Sequence, residues 1–146
     1  MNLNREIKIT RALNGVVAGT TDQNGSTIDM QGFEGVLFIA AFGALTATQV
    51  TQIKAQQGAA SDLSDAADLA GTLVGPLADA DSNKVLVLDI YRPAERYVRC
   101  VVDRGTANAV IDGVMAIQYG ARKQPTSHDS TVKAAEAHAS PAEGTP

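Results

Sequence analysis

Three side chains have the chemistry for nucleophilic catalysis or zinc binding: Cys100, His128 and His138. A Ser–His–Asp or Cys–His site needs an imidazole held within hydrogen-bond distance of its nucleophile. Both histidines follow Gly120, in a segment that we expect to be mobile. Cys100 falls on the apolar face of a predicted strand, where an inert thiol is the usual state. We therefore expect neither an enzyme of this kind nor a zinc site, which needs more ligands.

Acidic residues are concentrated in a stretch that has no Lys or Arg. Its members are Asp62, Asp65, Asp68, Asp79 and Asp81. Asp79, Asp81 and Asn83 match the first three ligand positions of a calcium loop, but the turn glycine is missing and Ile90 stands in place of the bidentate Glu. We favour a solvated acidic loop. Paired carboxylates for hydrolysis are the alternative, although the chain has no Trp to form a platform for a sugar.

Arginines form the opposite cluster, within thirteen residues: Arg92, Arg96, Arg99 and Arg104. One interpretation is a set of surface charges balanced by Asp89, Glu95 and Asp103. The other is a partner-binding interface, because the arginine fork is well suited to docking on carboxylates. Nucleic acid ranks third, since the interleaved acids cancel most of the field and the whole chain carries a formal charge of -4. Neither glycine-rich phosphate-binding motif occurs, so we expect no cofactor.

The elements that would position these residues are mostly strands. An apolar period of two predicts eight of them, at residues 6–12, 15–18, 27–30, 33–42, 48–56, 84–91, 96–103 and 109–119. In the seventh, Val98, Cys100 and Val102 share the dry face, while Val101 falls on the other. Residues 61–73 have helical spacing, and 104–108 resemble a hairpin connection. We predict an all-β, antiparallel β-sandwich, jelly-roll-like, with a short helical excursion at 61–73.

The composition changes after Gly120. Residues 121–146 have three prolines and one branched aliphatic, Val132, which predicts a flexible C-terminal tail behind a single domain at 1–120. Residues 1–5 form a polar N-terminal arm without the shape of a secretory signal. No apolar run reaches the roughly 18 residues of a membrane span, so we expect no membrane partner and synthesis in the cytoplasm.

Four stretches resemble small virion structural proteins of tailed bacteriophages. They are Asp29–Gly35 (DMQGFEG), Ile53–Gln57 (IKAQQ), Tyr91–Arg99 (YRPAERYVR) and Gly113–Gly120 (GVMAIQYG), and the resemblance extends over roughly residues 3–125. In size and all-β character the chain is most similar to head decoration, or cement, proteins. The resemblance implies a jelly roll that assembles as a homodimer or homotrimer on the capsid surface of the virion. It also implies the major capsid protein as partner.

The leading hypothesis from the sequence is therefore a non-enzymatic capsid decoration protein that stabilises contacts between major capsid protein subunits. A tail-tube or head–tail joining protein is the alternative within the virion. A carbohydrate-binding module is a more distant alternative, because jelly rolls serve many unrelated functions.

Overall fold

The computed structural model describes residues 2–140 and 142–145, and within them it contains one helix and ten strands. The elements in chain order are α1 (Leu3–Glu6), β1 (Lys8–Leu13), β2 (Val16–Gly19), β3 (Gln23–Asn24), β4 (Ile28–Asp29), β5 (Gly35–Leu45), β6 (Val50–Gly58), β7 (Ala67–Asp68), β8 (Val85–Tyr91), β9 (Tyr97–Gly105) and β10 (Ala109–Tyr119). The all-β prediction is confirmed.

The strands form two antiparallel sheets. Sheet A has the order β1-β10-β5-β8, and β2 also pairs with β10. Sheet B has the order β3-β9-β6-β7, and β4 also pairs with β9. The pairing is nested, because β1 pairs with β10, β4 with β9, β5 with β8 and β6 with β7. The antiparallel β-sandwich is thus confirmed.

The core lies between the sheets and follows the alternation of the strands. Val36, Phe38 and Phe42 point inward from β5, and Val98 and Cys100 point inward from β9. Val101 is also buried, although it lies on the opposite face of β9, where Tyr97, Arg99 and Asp103 are only partly buried.

All eight predicted strands are present, with ends shifted by at most three residues. The helical excursion at 61–73 is wrong. That segment consists of turns and the two-residue strand β7, which pairs with Gln56 and Gln57 of β6. Its carboxylates favour turns because they accept local backbone hydrogen bonds: Asp65 from Ala59 N at 2.8 Å and Asp62 from Ser64 N at 3.0 Å.

The predicted hairpin at 104–108 is also wrong. It leads from β9 in sheet B to β10 in sheet A, so the two strands that it joins do not pair with each other. Turn-forming residues show where the chain reverses but not which sheet the next strand enters. At the other end of the chain, the helix α1 includes residues 3–5 of the predicted polar arm.

Part of the segment after residue 120 lies along the free edge of β1. Thr126 N donates to Arg5 O at 2.8 Å, Asp129 N donates to Ile9 O at 3.0 Å, and Arg11 N donates to Thr131 Oγ1 at 2.9 Å. These bonds cover backbone groups that an edge strand would otherwise expose. Composition gave no sign of them; the flexibility of 121–146 as a whole stays a prediction.

Candidate functional site

Two loops meet at the end of the sandwich where β4, β5, β8 and β9 begin or end. Met30 N donates to Arg96 O at 2.9 Å, and Arg92 N donates to Glu34 O at 2.8 Å. Gly32 between them has φ +88°, a conformation that side chains with a Cβ rarely adopt. The loop 30–34 and the loop 92–96 are therefore joined at both ends by backbone hydrogen bonds.

An ion pair between side chains reinforces this junction. Arg96 Nε donates to Asp29 Oδ1 at 2.8 Å and Arg96 Nη2 donates to Asp29 Oδ2 at 2.7 Å, and the same nitrogen also reaches Gln31 Oε1 at 2.6 Å. The hydrogen bonds from Arg96 hold the pKa of Asp29 below its usual value, against the opposing effect of partial burial. Arg96 thus orients the junction as well as placing a positive charge there.

A groove of about 610 Å³ lies between the two loops, and we call it the basic groove. Its lining is Met30–Glu34, Arg92–Arg96 and Arg122. Arg122 is held there because its N donates to Gly32 O at 2.9 Å. A neighbouring hollow, which shares Gln31–Phe33 and Arg122 with the groove, adds Lys8 and Lys123.

The charge of this end differs from that of the chain. Lys8, Arg92, Arg96, Arg122 and Lys123 are the cations, and Asp29, Glu34, Glu95 and Asp129 are the acids. Five positive charges against four negative ones give a local charge of +1 on a protein with a formal charge of -4. Such a local field favours contact with carboxylates on a partner.

Arg92 is more exposed than Arg96 and is held less tightly by its acidic partner. Its guanidinium stacks on the ring of Tyr91 at 5.0 Å and stays 68% exposed, with Glu34 only at 3.7 Å. A loose ion pair at that distance and exposure contributes little, so the guanidinium can exchange it for an incoming carboxylate. The stacking fixes where the charge is presented.

The other two arginines of the predicted cluster lie elsewhere. Arg99 is on the outer face of sheet B, where Nε and Nη2 donate to Gln56 Oε1 at 2.8 and 2.6 Å. Arg104 is buried near the far end of β9, and its guanidinium donates to the carbonyls of Thr21, Val17 and Ala109 at 2.8, 3.0 and 2.7 Å. Arg104 therefore stabilises the fold and does not face a partner.

The carboxylates of the acidic stretch are used mainly for hydrogen bonds and ion pairs within the fold. Asp79 Oδ2 accepts from Thr48 N at 2.9 Å, Asp81 Oδ2 accepts from Ala78 N at 2.8 Å, and Asp81 Oδ1 pairs with Lys84 at 2.6 Å. Asp68 pairs with Lys54 at 2.9 Å. Within residues 2–140 and 142–145, no three His, Cys, Asp or Glu side chains are grouped so that they could hold a metal ion.

Cys100, His128 and His138 lie in three different environments. Cys100 is fully buried in the core, and burial raises its pKa to about 12. His128 Nδ1 accepts from Ile9 N at 3.2 Å, so Nε2 carries the proton and donates to Asn4 Oδ1 at 2.8 Å. His138 is exposed beside Glu136. His128 thus helps to attach the segment after residue 120 to β1 and α1.

Sheet A is apolar on its outer face as well as on its inner one. The side chains that alternate with the core residues of β5, β8 and β10 are Leu37, Ile39, Val85, Val87, Met115 and Ile117. They form adjacent rows, because Met115, Ile39 and Val87 stand side by side, as do Ile117 and Leu37. We call these six residues the outer patch.

Sequence reasoning identified Arg92 and Arg96 but missed the cations beside them. Lys8 precedes Arg92 by more than eighty residues, and Arg122 and Lys123 belong to the segment predicted to be flexible. No local pattern connects positions so far apart. The expectation of a partner-binding cluster therefore lacked the part that the segment after residue 120 supplies.

Comparisons with known proteins add no further identification. No protein-family model matches the chain, and no curated protein matches it. Among the described residues, no helix has the length and apolar character to span a membrane.

Proposed function

We propose that the chain is a non-enzymatic virion structural protein that decorates a bacteriophage capsid. In this proposal it docks with its basic groove on carboxylates of the major capsid protein and bridges neighbouring subunits. Of the predicted cluster, Arg92 serves this contact together with Arg122, and Arg96, which is paired with Asp29, holds the two loops in position.

One observation carries the proposal: two of the four stretches that resemble phage virion proteins line the groove together. Asp29–Gly35 and Tyr91–Arg99 supply most of its lining. The other two stretches end beside it, where Glu34 N donates to Tyr119 O at 3.0 Å and Glu95 N donates to Gln57 Oε1 at 3.4 Å. Two stretches that are far apart along the chain thus form one groove.

The chemistry of that surface supports an adhesive function. Two of the three arginines of the groove are held in place, Arg92 by stacking on Tyr91 and Arg96 by stacking on Tyr97 and by hydrogen bonds to Asp29. Fixed guanidinium groups bind carboxylates with two parallel hydrogen bonds. Many copies around a capsid multiply modest contacts through avidity.

The test is binding of the purified protein to capsids that lack it. We expect saturable binding that weakens with salt, and decorated capsids that resist heat better than bare ones. Arg92→Glu should lower the affinity by roughly tenfold or more. Lys84→Glu makes the same change of charge at the other end of β8 and is the matched control.

Absence of binding would contradict the proposal, and so would equal affinities for the Arg92→Glu and Lys84→Glu proteins. Binding only to tail tubes, or only at the head–tail junction in micrographs of labelled particles, would favour the alternative within the virion. Binding to a glycan array in place of capsids would favour a carbohydrate-binding module.

A further inference from the structure

We propose that the outer patch is a homodimer interface, in which sheet A of one copy packs face to face on sheet A of a second copy about a twofold axis parallel to the strands. This inference concerns the isolated protein and does not depend on binding to a capsid. It names the partner of a surface that the basic groove does not use.

The first argument is that the central strands of sheet A have the composition of strands that are covered on both sides. β5 reads GVLFIAAFGAL and β8 reads VLVLDIY. A sheet with one solvated face alternates apolar with polar residues, whereas a sheet covered on both faces is nearly continuously apolar. Yet Val85 and Val87 are 53% and 47% exposed. The chain itself leaves the β8 side of the patch open.

The second argument is that the charges at the two borders of the patch are complementary. Arg11 lies on β1 at one border and Asp89 lies on β8 at the other, both exposed and both on the outer face. Across the sheet Asp89 is level with Leu37, Ile117 and Ile9, and Arg11 is two residues further along β1 than Ile9. Neither Arg11 nor Asp89 forms an ion pair within residues 2–140 and 142–145.

A twofold axis along the strands places β1 of one copy opposite β8 of the other. Asp89 of the second copy then faces Ile9, and Arg11 is about 7 Å along the strand, within reach of its long side chain. The symmetry forms this contact twice. An axis across the strands would place Arg11 opposite Ile9 and leave Arg11 and Asp89 without an oppositely charged partner, so the charges select the first arrangement.

The third argument is the area. The six residues of the outer patch lie on three strands spaced about 4.8 Å apart and in three outward rows about 7 Å apart, which gives roughly 300 Å² on each copy. With β1 and the row of Tyr91, Gly35 and Tyr119 added, the outer face of sheet A gives roughly 500 Å² on each copy. Two copies that use this whole face bury about 1,000 Å², the lower limit for a specific interface, and sheets stack face to face at about 10 Å.

The experiment is sedimentation of the purified full chain over a range of concentrations. We expect a species of twice 15.2 kDa for the unaltered protein. Val87→Asp, at the exposed border strand, should dissociate it, and Ile39→Asp, in the middle of the patch, should do so more completely. Val17→Asp is the matched control, because Val17 is an exposed apolar residue of β2 outside the patch. Thermal melting of each variant shows that it is folded.

Charge exchange tests the arrangement itself. Arg11→Asp and Asp89→Arg should each weaken the dimer roughly tenfold, and the double variant should recover most of that loss. A monomer at all concentrations overturns the proposal, and so does a dimer that resists both patch variants. A third outcome is that Val87→Asp dissociates the dimer but the Arg11→Asp/Asp89→Arg double variant binds no better than the single variants. That result would indicate pairing through the β8 edge and would overturn the face-to-face arrangement.

Discussion

Arg96 and Asp29 are 67 residues apart in the chain, yet their side chains form a two-point ion pair at 2.8 and 2.7 Å. The pair joins β4 to the loop before β9 at the wall of the basic groove. Both side chains are nearly half exposed, which limits what the pair adds to stability. Its main effect is to fix the geometry of the groove.

Asp29→Asn should reduce stability modestly and in a pH-dependent way. The arginine lowers the pKa of Asp29 in the folded protein, so the stabilisation is complete above the unfolded value of about 3.9 and is lost as the pH falls through the folded value. We expect Tm to fall by about 2 °C at pH 7 and the difference to shrink as the pH falls below about 3.9. Calorimetry of both proteins between pH 2 and pH 7 measures this difference in Tm. A difference in Tm that grows towards low pH would contradict the role of Arg96.

Arg104→Ala should destabilise the fold strongly. The guanidinium is buried and satisfies the carbonyls of Val17, Thr21 and Ala109, so its removal leaves buried acceptors without donors. We expect a loss of about 3 kcal/mol in the free energy of unfolding, measured with urea. Arg92→Ala is the control and should change the free energy by less than about 0.5 kcal/mol, because Arg92 is exposed. Similar losses for both variants would contradict this assignment.

The difference between Arg92 and Arg104 shows how far sequence reasoning extends. The alternation of Val98, Cys100 and Val102 predicted β9 correctly, and two more residues along the same face lead to Arg104, so its inward position was available from the period. The carbonyl groups that Arg104 binds could not be predicted, because Val17 and Thr21 are far from it in the sequence and approach it only in the folded sandwich. The period of two is local, whereas the partners of a polar side chain depend on the tertiary arrangement.

The basic groove shows the same limit of prediction from sequence. Arg92 and Arg96 could be selected as a cluster from their spacing, but Lys8 and Arg122 reach them through the pairing of β1 with β10 and through the course of the segment after residue 120. Low apolar content correctly indicates that such a segment has no core of its own. It does not exclude a segment that binds to an existing strand edge, as Thr126 and Asp129 do.

Cys100 should not react with thiol reagents in the folded protein. Its side chain is fully buried and burial raises its pKa to about 12, so almost no thiolate is present at pH 8 and no reagent reaches it. We expect maleimide labelling only after denaturation, at one site per chain, as mass spectrometry would show. Val17→Cys introduces an exposed thiol and should be labelled at once at that position. Rapid labelling of native Cys100 would mean that the core opens far more readily than its packing indicates.

Gly35→Ala should disturb the end of sheet A that lies nearest the groove. The ring of Tyr119 lies across Gly35, and a β-carbon there would overlap with Tyr119 Cζ and Oη. Tyr119 Oη also donates to Asp89 Oδ1 at 2.7 Å, so the ring cannot move away without losing that bond. Burial, together with Asp89, raises the pKa of Tyr119 to about 12. We expect a loss of about 2 kcal/mol in the free energy of unfolding and a lower pKa for this tyrosine.

A double-mutant cycle separates the overlap from any effect on the backbone. Tyr119→Leu removes the distal ring atoms, so Gly35→Ala should cost less than about 0.5 kcal/mol in that background. The φ of Gly35 is not in the left-handed region, so alanine adds no backbone strain of that kind there. If the alanine is equally costly with and without the tyrosine ring, then Gly35 is required for the strand itself. If the cost disappears when the ring is removed, glycine is required at position 35 because the ring of Tyr119 lies across it. In that position Tyr119 also holds Asp89 at the border of the outer patch.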